Sequence, residues 1–248
     1  MDGSLWDRSQ GWLSEENECY WEGSLCGNDV VVNRLVLDDN NLFGEIPLEI
    51  IKLHGLKKIS FEDNSLSGSI PPDLLGMERL EELNLADNSF SGSLPVSAGA
   101  SLRTIDLHFN KLKGSIPPAI GGMSQLRKIN LSFNELSGKI PPEFGSIESL
   151  EDLELEGNSL SGPIPASFGD LSNMVNLTLS DNPIAASIPA RFGLLTNLQR
   201  LRIADAGLVG SLPTELGRLL NLKVLELTGN ELSGRLPTEL GELQQLCK

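Results

Sequence analysis

Apolar side chains recur along most of the chain in one frame that repeats about every 24 residues. An early copy of the frame reads Leu35-x-Leu37-x-x-Asn40-x-Leu42-x-Gly44-x-Ile46-Pro47. An asparagine marks the copies at Asn40, Asn64, Asn88, Asn110, Asn134, Asn158, Asn182 and Asn230. One interval is 22 residues long, and Ala206 takes the place of the eighth marker. A period of this length predicts a stack of similar coils, which usually serves to hold a partner.

Within each copy, the pattern Leu-x-Leu predicts a short strand with both leucines on one side. One strand per copy gives a parallel sheet, and neighbouring coils must bury the leucines, at about 1.5–3 kcal/mol for each. We expect each marker asparagine to bond the backbone of its own and the adjacent turn, forming a ladder. Ala206 interrupts this ladder. Either another group takes over the hydrogen bonds of the missing asparagine, or the interruption is a local bend tied to binding. The Gly and Ile/Leu-Pro that follow predict a short flanking strand, then a helical turn outside.

These residues resemble the plant-type leucine-rich repeat, LxxLxxLxLxxNxLxGxIPxxLGxL, over about residues 32–246 in nine copies. The resemblance implies an α/β fold: a right-handed superhelical solenoid with a concave parallel β-sheet, short second strands and short outer helical turns. Residues 19–26 resemble the N-terminal cap of receptor-like members, which carry a Cys pair around Trp-x-Gly. Residues 12–18 are similar to caps of algal, notably diatom, members. The implied organisation is a cap at 1–31, then nine repeats and the start of a tenth at 32–248.

The cap suggests a Cys19–Cys26 disulfide that closes a short loop and is worth roughly 2–3 kcal/mol. Paired metal-binding or redox thiols are the alternative, but further Cys or His ligands are not close in sequence. A disulfide and the sequons at Asn130 and Asn176 favour a secretory route and an extracellular or cell-surface location. The tenth repeat stops before its strand, so we expect a fragment without its C-terminal cap. Cys247 is then a buried residue of the next coil or a remnant of that cap.

The net charge of −15 disfavours nucleic acid and anionic membranes as partners. The sequence contains no apolar run of transmembrane length, so we expect no membrane insertion by this segment. Motifs of hydrolases, kinases, P-loop proteins and zinc proteases are absent. We therefore expect a protein that is not an enzyme and needs no cofactor or metal.

Candidate binding residues are those whose side chains leave the concave face of the predicted strands. They are His108, Phe109, Phe133, Glu154, Glu156, Arg200 and Arg202. Exposed aromatic residues are typical anchors, although the family also carries an aromatic residue packed on this turn. The arginines could grip a carboxylate or simply balance the acidic residues. A column formed by Asp39, Asp63 and Asp87 could face a basic partner or be ordinary solvated carboxylates.

The leading functional interpretation is a receptor-like ectodomain that binds a peptide, a small ligand or a co-receptor. One alternative is a secreted inhibitor of a cell-wall-degrading enzyme, similar to polygalacturonase inhibitors, which carry a Cys cap at both ends. A third is an ice-binding solenoid, which needs flat rows of threonine or small residues, whereas the concave rows are mixed and charged.

Overall fold

Short strands, one or two per repeat, make up the sheets of this protein. The computed structural model describes residues 23–26, 31–97 and 99–246. The strands are β1 Ser24–Cys26, β2 Val32–Val36, β3 Phe43–Glu45, β4 Lys58–Ser60, β5 Ser65–Ser69, β6 Glu82–Asn84, β7 Ser89–Ser93, β8 Thr104–Asp106, β9 Lys111–Gly114, β10 Lys128–Asn130, β11 Glu135–Gly138, β12 Asp152–Glu154, β13 Ser159–Leu160, β14 Asn176–Thr178, β15 Arg200–Arg202, β16 Val209–Gly210, β17 Val224–Glu226 and β18 Glu231–Leu232.

Ten strands form the main sheet in the order β1-β2-β4-β6-β8-β10-β12-β14-β15-β17. Only the β1–β2 pair in this sheet is antiparallel, and the remaining pairs are parallel. The register is in step from repeat to repeat, so Ile129 lies between Ile105 and Leu153. It holds across the shortened third repeat as well, where Leu83 pairs with Ile105. The solenoid predicted from the sequence is confirmed.

The helical segments are single 3-10 turns on the outer side of the repeats. They span Leu48–Lys52, Leu74–Gly76, Pro118–Gly122, Pro142–Ser146, Ala166–Asp170, Ala190–Leu194, Thr214–Arg218 and Thr238–Glu242. Most follow a proline in extended conformation, which supplies a fixed φ and a carbonyl acceptor for the turn. No helix in the described ranges is long enough to cross a membrane.

The core is a set of apolar columns running the length of the stack. In the main sheet, the middle residue of each strand from β4 to β15 is almost fully buried, as at Ile59, Leu83 and Leu153. A second column comes from the outer turns, where Phe144 and Phe168 meet edge to face with centroids 6.2 Å apart. Coverage falls at the C-terminal end, where Leu225 is only partly buried. Each coil thus depends on its neighbours for burial.

The marker asparagines hydrogen-bond the backbone across repeats. Asn134 Oδ1 accepts the N–H of Leu112 at 3.0 Å. Its Nδ2 contacts the carbonyls of Leu107, Leu131 and Ser132 at 3.0–3.2 Å. The same arrangement recurs at Asn64, Asn88, Asn110, Asn158, Asn182 and Asn230. These amides bind each coil to the preceding one.

Repeat 7 changes shape where the ladder is interrupted. In a regular repeat, an asparagine at position 206 would accept the N–H of Ile184. That N–H instead donates to the carbonyl of Asn182 at 2.8 Å, and the N–H of Ala185 donates to the carbonyl of Ala206 at 3.0 Å. Ala185 has a φ of 50°, in the left-handed region. Backbone groups therefore fill in for the missing side chain.

The flanking strands form two separate sheets because of this change. Strands β13-β11-β9-β7-β5-β3 make a six-stranded sheet, and β16 pairs with β18 alone. Residues 183–188 lie between the two sheets, and all are described, but they form no strand. The main sheet is unaffected, since β14 pairs with β15 in regular register.

Candidate functional site

The exposed side of the main sheet, which we name the sheet face, presents aligned rows of side chains. In β10, Lys128 and Asn130 flank the buried Ile129 and point outward. The parallel register places Asn130 between Asp106 and Glu154. Parallel strands are about 4.8 Å apart, so corresponding residues of adjacent repeats are neighbours on this face.

Phe109 and Phe133 form a stacked pair on the sheet face. Their ring centroids are 4.5 Å apart and their planes differ by 7°. The residues are 49% and 40% exposed. Both have positive φ, at 48° and 54°. The left-handed conformation costs residues with bulky side chains roughly 1–2 kcal/mol, so these exposed rings occupy unfavourable backbone positions.

The same backbone position explains the aspartate column. Asp39, Asp63 and Asp87 immediately precede a marker asparagine and have φ values of 47°, 54° and 51°. Aspartate tolerates the left-handed region because its short polar side chain can bond locally. The column therefore has a structural reason that is independent of any partner, whereas a phenylalanine has no polar side chain to form such a local bond.

The backbone of Gly157 provides the space for Phe133. A Cβ atom added at Gly157 would lie 2.6 Å from Cδ1 of Phe133, closer than any real contact. The ring of Phe133 thus lies directly against the turn of the next repeat. Gly157 lies on one side of the stacked pair, next to Phe133. His108 lies on the other side, and its ring centroid is 5.3 Å from that of Phe109.

Two carboxylates hold the ring of His108. Its Nδ1 lies 2.6 Å from Oδ1 of Asp106, and its Nε2 lies 3.2 Å from Oδ2 of Asp87. The backbone N–H of His108 also donates to Oδ1 of Asp106 at 3.2 Å. Neither aspartate was among the seven candidate binding residues. The period of two places Asp106 on the same side of its strand as His108, so the sequence could have indicated this contact. The contact with Asp87, in the preceding repeat, depends on the direction of the His108 side chain.

Glu154 and Glu156 are half-buried acidic residues in the repeat after Phe133. Burial is the main cause that raises the pKa of Glu154, and Asp152 and Asp106 add to it against the opposing attraction of Lys128. Burial likewise raises the pKa of Glu156, with Asp181 as the next cause. Among the described residues, neither carboxylate forms an ion pair. Both would therefore gain from a nearby cation.

The two candidate arginines lie apart from these glutamates. Arg202 is on β15, and its Nε lies 3.2 Å from Oε2 of Glu226 in the next strand. Arg200 is exposed on the same strand. Strand β14 lies between the strand of the two arginines and that of Glu154. The repeat that contains β14 carries small side chains on the sheet face, at Thr178 and Ser180.

The sequon asparagines lie half-buried on strands of the sheet face. Asn130 Oδ1 accepts the N–H of Ser132 at 3.0 Å, and Nδ2 of Asn176 donates to Oδ1 of Asp152. A glycan on either would cover part of this face, and glycosylation stays a prediction. Cys26 is disulfide-bonded. Cys19 and Cys247 lie outside the described residues, so the Cys19–Cys26 pairing also stays a prediction.

Residues 23–26, 31–97 and 99–246 contain no group of three or more His, Cys, Asp or Glu placed to hold a metal ion. The acidic residues of the sheet face are spread along the rows instead of surrounding one point. They form an electrostatic surface and not a coordination cage.

Solved structures similar to this chain include plant receptor ectodomains. The leucine-rich repeat ectodomain of the Arabidopsis thaliana membrane receptor kinase GASSHO1/SCHENGEN3, in complex with CASPARIAN STRIP INTEGRITY FACTOR 2, is 33% identical with a TM-score of 0.94. The match covers 97% of this chain and 29% of that one. The Arabidopsis HAESA ectodomain, in complex with an N-terminal extended IDA peptide hormone, is 30% identical with a TM-score of 0.83, covering 94% and 40%. The chain therefore spans well under half the length of either receptor domain.

A plant ice-binding protein is also similar, with 26% identity, a TM-score of 0.77 and coverage of 93% of this chain and 83% of that protein. No curated protein matches the sequence significantly. A family model described as "Leucine-rich repeat region" matches residues 83–246, and a second one, described as "Leucine Rich Repeat", matches residues 55–77. The chain belongs to the leucine-rich repeat family and is similar to the plant receptor-kinase ectodomains within it.

Proposed function

We propose that this chain is a non-catalytic recognition module of a receptor-like ectodomain, which binds a peptide or a co-receptor on its sheet face. The observation that carries the proposal is the exposed Phe109–Phe133 stack. Aromatic rings of this kind are typical binding anchors, and these two keep unfavourable backbone conformations without being buried. The similar HAESA ectodomain was solved with a peptide hormone ligand, which supports the same class of partner.

The arginine pair extends this proposal to a second anchor. Arg200 and Arg202 both leave the sheet face from β15, and their guanidinium groups could receive a carboxylate of the partner. Arg202 would exchange its contact with Glu226 for the new one. Such a module acts in an extracellular or cell-surface setting, which the disulfide at Cys26 favours.

A random peptide library displayed on phage tests the proposal. The immobilised chain is expected to enrich peptides whose binding is lost in the variant Phe109→Ala/Phe133→Ala/Arg202→Ala. A matched variant, Leu48→Ala/Leu194→Ala/Arg191→Ala, changes exposed residues of the outer turns and should retain binding. Peptides that bind both variants equally, with unfolding midpoints unchanged, would place recognition elsewhere and contradict the proposal.

Ice binding is a second candidate because of the flanking sheet. Exposed or half-exposed serines stand there at the same place in repeats 2, 3, 5 and 6, as Ser67, Ser91, Ser137 and Ser161, whereas repeat 4 carries Lys113. Their spacing follows the strand separation of about 4.8 Å. The similarity to a plant ice-binding protein points in the same direction. Loss of ice-recrystallisation inhibition on replacing Ser91 and Ser137 by Lys would support it, and an inactive wild-type chain would exclude it.

Inhibition of a cell-wall-degrading enzyme is the remaining alternative. A pectin-hydrolysis assay with and without the chain tests it directly, and an unchanged rate would remove it.

A further inference from the structure

The sheet face is strongly acidic near the C-terminal ends of its strands. We name as the acidic strip the carboxylates of repeats 1–6 at these positions, which are Asp38, Asp39, Glu62, Asp63, Asp87, Asp106, Glu154 and Glu156. In these rows the first arginine or lysine is Arg202, in repeat 8. A strip of one charge repels itself, and a basic partner would relieve that repulsion.

The Phe109–Phe133 stack interrupts the acidic strip in repeats 4 and 5. On one side of it lie Asp87 and Asp106, which contact His108. On the other side lie Glu154 and Glu156, which have no ion-pair partner among the described residues. The exposed stack thus lies next to two half-buried carboxylates, while the nearest cations, Lys128 and Arg202, form their ion pairs with Asp152 and Glu226.

The residues beyond Glu154 and Glu156 on the sheet face have smaller side chains. The aligned positions in repeat 7 are Thr178 and Ser180, both small and buried, and the turn of repeat 6 carries Gly157. The next large side chain across the face is that of Arg202. Phe133 and Arg202 therefore lie on either side of Glu154, Glu156 and these small residues, which we name the acidic stretch.

We propose that the Phe109–Phe133 stack and the acidic stretch together bind an extended peptide segment in which a basic residue follows an apolar residue. The apolar side chain would lie on the stack and the basic side chain on Glu154 and Glu156. The proposal rests on the peptide-binding function above and specifies the chemistry of its ligand. Alternate residues of an extended peptide point the same way about 6.6 Å apart. That spacing exceeds one strand separation of about 4.8 Å, and Glu154 lies on the strand next to the one that leads to Phe133.

Arginine fits these two carboxylates better than lysine does. Its planar guanidinium can bond two carboxylate oxygens at once, and its apolar stem can lie along an aromatic ring. Raised pKa values at Glu154 and Glu156 show that their negative charge is poorly solvated, so a cation there gains more than it would at a fully exposed aspartate.

Three synthetic peptides provide the test, read by fluorescence anisotropy. The first alternates Arg and Phe with Ser spacers, the second has Glu in place of Arg, and the third has Ala in place of Phe. The first is expected to bind, and the other two should bind at least about tenfold more weakly. Higher salt should weaken binding of the first, because the carboxylates are only partly shielded from solvent.

Two double variants show where the peptide sits. Glu154→Gln/Glu156→Gln should weaken the Arg/Phe peptide at least about tenfold. Glu49→Gln/Glu78→Gln removes the same charge from exposed outer positions and should change the affinity less than about twofold. Equal losses in the two variants would indicate unspecific attraction and overturn the proposal, as would absent binding or equal binding of the Glu peptide.

The library selection separates this proposal from the function on which it rests. Enriched peptides that need Phe109 and Phe133 but carry no basic residue would leave the receptor-like function standing and refute the basic ligand. Enriched peptides that ignore the sheet face would refute both.

Discussion

The ring of Phe133 lies against the backbone of Gly157, at a distance that leaves no space for a Cβ atom. This contact joins repeats 5 and 6 on the exposed side of the sheet, and it fixes the plane on which Phe109 stacks. A glycine at this place in the frame therefore serves the neighbouring repeat as well as its own turn, where φ is 65°.

Gly157→Ala should displace Phe133 and destabilise the chain. The left-handed backbone costs alanine about 1–2 kcal/mol, and loss of the ring stack adds about 0.5–1.5 kcal/mol. Gly207→Ala is the matched control, because Gly207 has a φ of 63° but a Cβ there would meet its nearest atom at 3.6 Å. Urea unfolding should show the larger loss for Gly157→Ala. Equal losses would mean that the ring moves aside freely.

Asn134→Ala should lower the unfolding free energy by about 2–3 kcal/mol. The substitution leaves the N–H of Leu112 and nearby carbonyls without their partner inside the stack. Asn221→Ala is the control, since its exposed Nδ2 donates one hydrogen bond, to the carbonyl of Thr196 at 2.8 Å. Urea unfolding should show a loss below about 1 kcal/mol for the control. Similar losses would mean that water replaces the ladder bonds.

Ala206→Asn should fail to repair the ladder. The N–H of Ile184, which the new side chain would need, already donates to the carbonyl of Asn182. Ala206 is also fully buried, so the added atoms would crowd the turn at about 1–3 kcal/mol. Thermal unfolding measures the effect. A higher melting temperature than that of the wild type would contradict this expectation, because repeat 7 would then have returned to the regular turn.

Most of the fold follows from the sequence because the same repeat motif occurs nine times. The leucines fix the strands and the buried side, and their period of two then assigns the exposed rows. This period places Glu156 on the same side as Glu154, and the repeat of 24 residues places Phe109 beside Phe133. In a repeat protein, residues at the same place in successive repeats are neighbours in space, so contacts can be read from the sequence. An irregular fold does not allow this.

Features that depend on side-chain direction or on a local backbone change were not predictable in this way. The outer turns carry a second ladder, in which Asn173, Asn197 and Asn221 donate to carbonyls of the preceding repeat. An earlier member is a serine, Ser149, so the asparagines that repeat every 24 residues mark only part of this ladder. The division of the flanking sheet at repeat 7 likewise needed the conformation of Ala185.

The pKa values of Glu154 and Glu156 set the direction of the pH dependence of stability. Both are raised in the folded chain, chiefly by burial, so the folded state binds protons more readily than the unfolded state. The resulting stabilisation is fully present below the unfolded glutamate pKa of about 4.3 and is lost as the pH rises through the folded values. At neutral pH the ionised, half-buried carboxylates therefore oppose folding.

Glu154→Gln/Glu156→Gln should accordingly raise the unfolding free energy at neutral pH, because a neutral amide avoids the desolvation of a charge. The gain should shrink as the pH falls and both wild-type carboxyls become protonated. Urea unfolding at a series of pH values measures this difference. Glu78→Gln, at an exposed position, provides the control and should leave the difference near zero at every pH. A double variant less stable than the wild type at neutral pH would show that Lys128 and Arg202 already compensate these charges. Glu154 and Glu156 would then need no further cation, and the argument for a basic ligand would fail.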